Sequence, residues 1–247
     1  MSKKLALTLA ATLAVAGFIA PFQAQAKDVT VTFAKPLNSD TIKITVTANG
    51  QSQEITADIK DTDSAEKKRK KMREALEKKG YRTLESTSAT AGPQLTIFSI
   101  PKGASVTFDP GKTGETADQI SSNAAASAQV SFNGFYSAFG FDGEVASFTA
   151  GVVSDKGQAV IEYRPADAKP GDLIDGSYIA QVLFESLLDA SADLGAELFL
   201  DGATIHVTFD SPSHDGEAGV VFGTSSDGEL SASVDLNNLE DSDQSAP

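Results

Sequence analysis

The alternation of apolar and polar positions is clearest in "TIKITVTANGQSQEITADI", residues 41–59. Ile42, Ile44 and Val46 alternate with polar residues, as do Ile55, Ala57 and Ile59, and the two runs meet at Asn49-Gly50. Successive side chains of a strand point to opposite faces, and Asn-Gly supplies the two positive φ angles of a two-residue turn. The stretch therefore predicts a β-hairpin with one buried face. The period then lengthens. In "DTDSAEKKRKKMREALEKKG", residues 61–80, Ala65, Met72, Ala75 and Leu76 form a thin stripe at helical spacing. Asp63 is the expected N-cap, with Glu66 three residues on, and Gly80 sits where a left-handed residue ends a helix. Strand patterns return in "QLTIFSI" (94–100) and "ASVTFD" (104–109), joined by "PKG".

The second half repeats this order. "EVASFTAGVV" (144–153) and "QAVIEYRP" (158–165) flank the turn "SDKG". The segment 175–195 predicts a helix whose broad apolar face holds Ile179, Val182, Leu183, Leu187, Ala190 and Leu194, flanked by Phe184. "AELFL" (196–200) then turns through "DG" into "ATIHVTFD" (203–210). The ends "GASVTFDP" (103–110) and "GATIHVTFDSP" (202–212) align best, which suggests a tandem duplication. The expected fold is α+β and β-rich: two tandem ββαββ modules, each a small, mainly antiparallel sheet covered by one helix. The expected boundaries are 27–110 and 130–230, with a small, polar connector at 111–129 and a disordered acidic tail at 231–247.

Directly after the connector, "SFNGFYSAFGFDG" (131–143) concentrates Phe132, Phe135, Tyr136, Phe139 and Phe141. Each ring removes about 150–250 Å² from water when buried, so five exposed rings would make an implausibly large patch. The expectation is a packed junction, with subunit docking or glycan stacking as the alternatives.

The run "TANGQSQEITADIKDTDSA" (47–65) resembles the small ββαβ modules of bacterial and phage surface-assembly proteins, the flagellar hook-associated and tail-type proteins. Those share a strand, an "NG" or "DGK" turn, a second strand and a "DT-A" helix start. The resemblance implies a structural or adhesive role and carries over no site residues. The lysine-rich helix departs from it.

Charge divides the chain. Residues 27–112 hold 15 Lys and Arg against 11 Asp and Glu, a net of +4, whereas 113–247 hold 3 against 23, a net of −20. The acidic half repels nucleic acid and anionic lipid. In the basic half, Lys67, Lys68, Lys70 and Lys71 are the candidate contacts for an acidic partner, including a second copy. At the N-terminus, Lys3 and Lys4 precede an apolar run, 5–20, then Pro21 and "AQA" at 24–26, which reads as an export signal at 1–26. The expected location is periplasmic or extracellular, with no membrane span in the mature form. The chain has no cysteine, so neither disulfides nor thiolate metal sites form.

Catalytic motifs are scarce. "GKT" at 111–113 lacks the upstream glycine of a phosphate loop, and no nucleophile elbow occurs. His206 alternates with Ile205 and Val207, so it points away from them. His214 lies in "DSPSHDGE" (210–217), where Asp210, Asp215 and Glu217 are a speculative Ca²⁺ set without the spacing of an EF-hand. The sequence therefore reads as an exported, non-enzymatic structural or adhesive protein, self-associating through its basic helix and acidic module, with no required cofactor. Its expected partners are itself, another envelope or surface protein, or a glycan. A glycan- or Ca²⁺-dependent ligand-binding module is the second reading, and a two-carboxylate hydrolase the third.

Overall fold

The computed structural model describes residues 27–236 except Thr90, Ala91, Lys102, 112–117, Ala124, Ala192 and 211–217. Sixteen strands and two helices succeed one another among these residues. The first run is β1 (Lys27–Thr32), β2 (Asp40–Ala48), β3 (Gln51–Ile59), α1 (Ala65–Lys78), β4 (Arg82–Ser88), β5 (Gly92–Ile100), β6 (Ser105–Asp109) and β7 (Asp118–Ser122). The second run is β8 (Ala125–Asn133), β9 (Phe135–Ser137), β10 (Phe148–Ser154), β11 (Gly157–Tyr163), β12 (Leu173–Asp175), α2 (Gly176–Ser191), β13 (Ala196–Asp201), β14 (Thr204–Phe209), β15 (Ala218–Thr224) and β16 (Glu229–Leu236).

These strands do not form two ββαββ modules. They form two seven-stranded antiparallel sheets, and each half of the chain contributes to both. Sheet A runs β11-β10-β15-β7-β1-β5-β4 and sheet B runs β13-β14-β8-β16-β6-β2-β3. A short ribbon, β12-β9, stands apart. The predicted hairpins exist: Ala48 pairs with Gln51 across Asn49-Gly50, whose φ angles are 52° and 72°, and Ser154 pairs with Gly157. The departure comes after the first hairpin and its helix. "PKG" joins no hairpin, because β5 pairs with β4 and β1 in sheet A while β6 pairs with β2 and β16 in sheet B. Local alternation marks a strand but cannot say which sheet it enters.

The two sheets are nevertheless topologically equivalent. Exchanging β1, β2, β3, β4, β5, β6 and β7 with β8, β10, β11, β13, β14, β15 and β16, in that order, turns sheet A into sheet B read from its other edge. The aligned ends were therefore the wrong pair. "SVTF" of β6 matches "HVTF" of β14 in letters, but the counterpart of β6 is β15.

Three further boundaries move. The expected connector 111–129 contains β7 and the first half of β8, because small polar side chains fit strands enclosed between neighbours. The aromatic segment is the end of β8 followed by β9. The expected tail begins inside β16, which lies between β8 and β6.

The core lies between the sheets. Val31, Ile120, Val220 and Val152 line its sheet A side and Ile44, Val106, Val234 and Val130 its sheet B side, all within 2 % of full burial. Phe108 of sheet B packs edge-to-face between Phe33 and Phe222, at 5.7 and 5.9 Å between centroids. Each helix closes one end of the sandwich: α1 touches β3 of one sheet and β4 and β5 of the other, and α2 touches β11 and β13.

Candidate functional site

The basic helix is largely committed to its own chain. Ser64, not Asp63, is the N-cap, accepting a hydrogen bond from the Lys67 backbone. Asp63 is fully buried one residue earlier and is gripped by the ammonium groups of Lys67 (2.6 Å) and Lys71 and by the Lys60 backbone N–H. Burial pushes its carboxyl up, but those donors outweigh burial and hold it far below the usual carboxylate range. Lys68 is no contact residue at all. It is 1 % exposed, reaches through the core to Asp118 at 2.9 Å, and lies 5.9 Å from the ring centres of Phe33 and Phe108. Arg69 and Arg73 both reach Glu85. Of the four lysines singled out, Lys70 is the one that is exposed and has no ion-pair partner among the described residues.

The aromatic residues separate as well. Phe132 and Tyr136 are fully buried, and Tyr136 packs edge-to-face on Phe148 at 5.4 Å. The Tyr136 hydroxyl is buried without a partner, and burial, with Glu229 and Asp109 adding to it, pushes its pKa well up. Phe139 and Phe141 are half-buried, and Phe135 is 64 % exposed. Asp210 is exposed, while Asp215 and Glu217 lie outside the described residues, as do His214 and the export signal. Among the described residues no group of three or more His, Asp or Glu gathers to hold a metal, and no helix is long and apolar enough to cross a membrane. His206 packs against Phe199 on the outward side of sheet B, at 6.1 Å.

One surface lies outside the residues singled out in the sequence. Positions adjacent in register to the core valines of sheet A point outward: Thr30 and Thr32 on β1, Gln119 and Ser121 on β7, Gly219, Val221 and Gly223 on β15, and Thr149, Gly151 and Val153 on β10. None is charged. The equivalent outward positions of sheet B include Lys43, Asp109 and Asp235 among serines and threonines. Because the two sheets share one topology, the fold does not impose this difference. Thr32, Gln119, Ser121, Thr149, Val153 and Val221 are 0–9 % exposed, and the two valines stand outside the core cluster. Yet β7, β10 and β15 touch chiefly their sheet neighbours, β8 and β16 of the facing sheet, and, through β10, α2, which touches both sheets at one end. The sequence hint was there: "FTAGVVS" and "AGVVFGT" do not alternate, which marks strands covered on both faces.

At the α2 end lies a cleft of about 550 Å³, walled by Tyr163, Tyr178, Leu173, Ile174 and Pro165. Leu173 and Tyr178 are 68 and 52 % exposed.

No known protein family and no curated protein matches the chain. A weak structural neighbour is the crystal structure of the flagellar cap protein FliD from Helicobacter pylori, at 11 % identity and a TM-score of 0.24. The match covers 76 % of this chain and 52 % of the cap protein, so the chain spans about half that length. Likeness this slight bears on neither fold nor function.

Proposed function

We propose that this is an exported, non-catalytic structural protein that works by association through the outer face of sheet A, its first partner being a second copy. The observation that carries the reading is the uncharged face of β1, β7, β15 and β10, which no described element covers. A face made of Val153, Val221, Gly151, Gly219 and Gly223 favours a cover of the same apolar, uncharged chemistry. Sheets pack face to face at about 10 Å, and a twofold pairing of identical faces closes on itself.

Magnitude sets the expected strength. Four strands about 4.8 Å apart and six residues long give a face of about 400 Å² per copy. The total of about 800 Å² falls below the roughly 1,000 Å² of a stable specific interface, so association is weak and concentration-dependent. Screening of exposed charge by salt leaves an uncharged contact unaffected.

Light scattering on residues 27–247 tests this. The mass should rise with concentration at low and high salt alike. Val153→Glu with Val221→Glu should leave a monomer, whereas Thr45→Glu on the outward side of sheet B should not. A wild-type monomer at every concentration removes the proposal.

A further inference from the structure

We infer that the cleft at the α2 end binds an organic ammonium group. Its two aromatic walls stand nearly at right angles: the rings of Tyr163 and Tyr178 are 6.3 Å apart at 75°. Such a corner presents ring faces and edges together, and the negative face of an aromatic ring attracts a cation within about 6 Å. Behind it the rings continue inward, Tyr163 stacking on Phe148 at 6.2 Å, so the walls are braced by the core. Leu173, Ile174 and Pro165 supply apolar surface for methyl or methylene groups around a charged nitrogen.

The rim decides the sign of the charge. From residue 162 to 178 there are four carboxylates, Glu162, Asp167, Asp172 and Asp175, against Arg164 and Lys169. The Arg164 guanidinium is taken up by Glu162, at 2.7 and 2.8 Å, and reaches the Val145 carbonyl at 3.4 Å. Asp175 caps α2, accepting from the Ser177 backbone and hydroxyl, both at 2.8 Å, and so offsets the positive end of the helix. Asp172 accepts from the Lys169 backbone N–H at 2.9 Å. That leaves Asp167 exposed at the cleft with no ion-pair partner among the described residues. An anion meets net repulsion here, and a neutral ligand gains at most hydrogen bonds from the carboxylates, without the charge attraction a cation adds. A cation is favoured by both rings and rim. The cleft volume falls within the range of about 300–1,000 Å³ typical of small-ligand sites. Its walls lie at the end of the sandwich, so this site does not depend on the proposed association face.

The test titrates choline chloride into residues 27–247, which hold every described element. The readout is tyrosine fluorescence, clean here because the chain has four tyrosines and no tryptophan. Choline should bind saturably, and its neutral isostere 3,3-dimethylbutan-1-ol about tenfold more weakly. Tyr178→Ala and Asp167→Asn should each weaken choline about three- to tenfold, while Phe199→Ala, remote on β13, should not. Because tyrosine is also the site of one substitution, proton chemical shifts of choline give the same constants independently. The inference is overturned if the alcohol binds as well as choline, if Tyr178→Ala changes nothing, or if no saturation is reached by about 50 mM.

Discussion

Lys68 and Asp118 meet inside the protein. Nζ lies 2.9 Å from Oδ2, with the side chains 1 and 2 % exposed, and the other carboxylate oxygen accepts the Ala34 backbone N–H at 2.7 Å. The pair fastens α1, at the end of the sandwich, to β7 near the middle of sheet A. A buried ion pair does not stabilise much relative to a well-packed apolar pair, but breaking it leaves a buried charge unmatched. Lys68→Met or Asp118→Leu alone should each lower stability by about 3–5 kcal/mol in urea unfolding. The double variant should recover most of that loss. Simple addition of the two losses would show that the residues do not act as a pair.

Asp63 makes stability sensitive to acid. Its folded carboxyl is held far below the usual range, whereas in the unfolded chain it titrates near 3.9. A depressed folded value contributes stability that is present above the unfolded pKa and lost as pH falls toward the folded one. Asp63→Asn should be less stable than wild type at pH 6, and the gap should narrow at pH 3. Thermal melts at the two pH values measure it, and a constant gap would contradict the assignment.

The same glycine-to-alanine change should act through two different causes. At Gly176, the first residue of α2, an added Cβ would stand 1.7 Å from the Phe132 carbonyl oxygen. Helix and strand must separate, and Gly176→Ala should cost at least about 2 kcal/mol. At Gly50 nothing lies within 4 Å, but φ is +72°. Gly50→Ala should cost only the left-handed conformation, about 1 kcal/mol. Denaturant midpoints rank the two.

Tyr136→Phe should be tolerated or should stabilise by up to about 1 kcal/mol. The hydroxyl is buried with no partner, so its removal relieves a desolvation cost and loses no hydrogen bond. The ring, packed on Phe132 and Phe148, stays in place. A loss of stability would point to a buried water bonded to that oxygen.

Local elements were legible in sequence and their partnerships were not. Helix α1 and the hairpin at Asn49-Gly50 follow from period and turn chemistry within a few residues. Strands β4, β7 and β16 were among those missed. "RTLESTS" and "DQISS" carry too few apolar residues to register, because one face of β4 meets α1 through Glu85 and β7 turns Asp118 to Lys68. The candidate site was less legible still. Phe132 and Phe135 are three residues apart in one aromatic run, yet one is fully buried and the other is 64 % exposed, since the chain changes ribbon between them.

By itself the sequence determined the strand-rich character, the two helices and their order, all properties of short stretches. Tertiary structure alone decided that β5 and β6 enter different sheets and that each sheet takes strands from both halves, because β pairing joins residues far apart in the chain. It also decided which lysine is buried. Lys67, Lys68, Lys70 and Lys71 are chemically alike, and only the helix's rotation against the core sends Lys68 inward to Asp118 and leaves Lys70 in water.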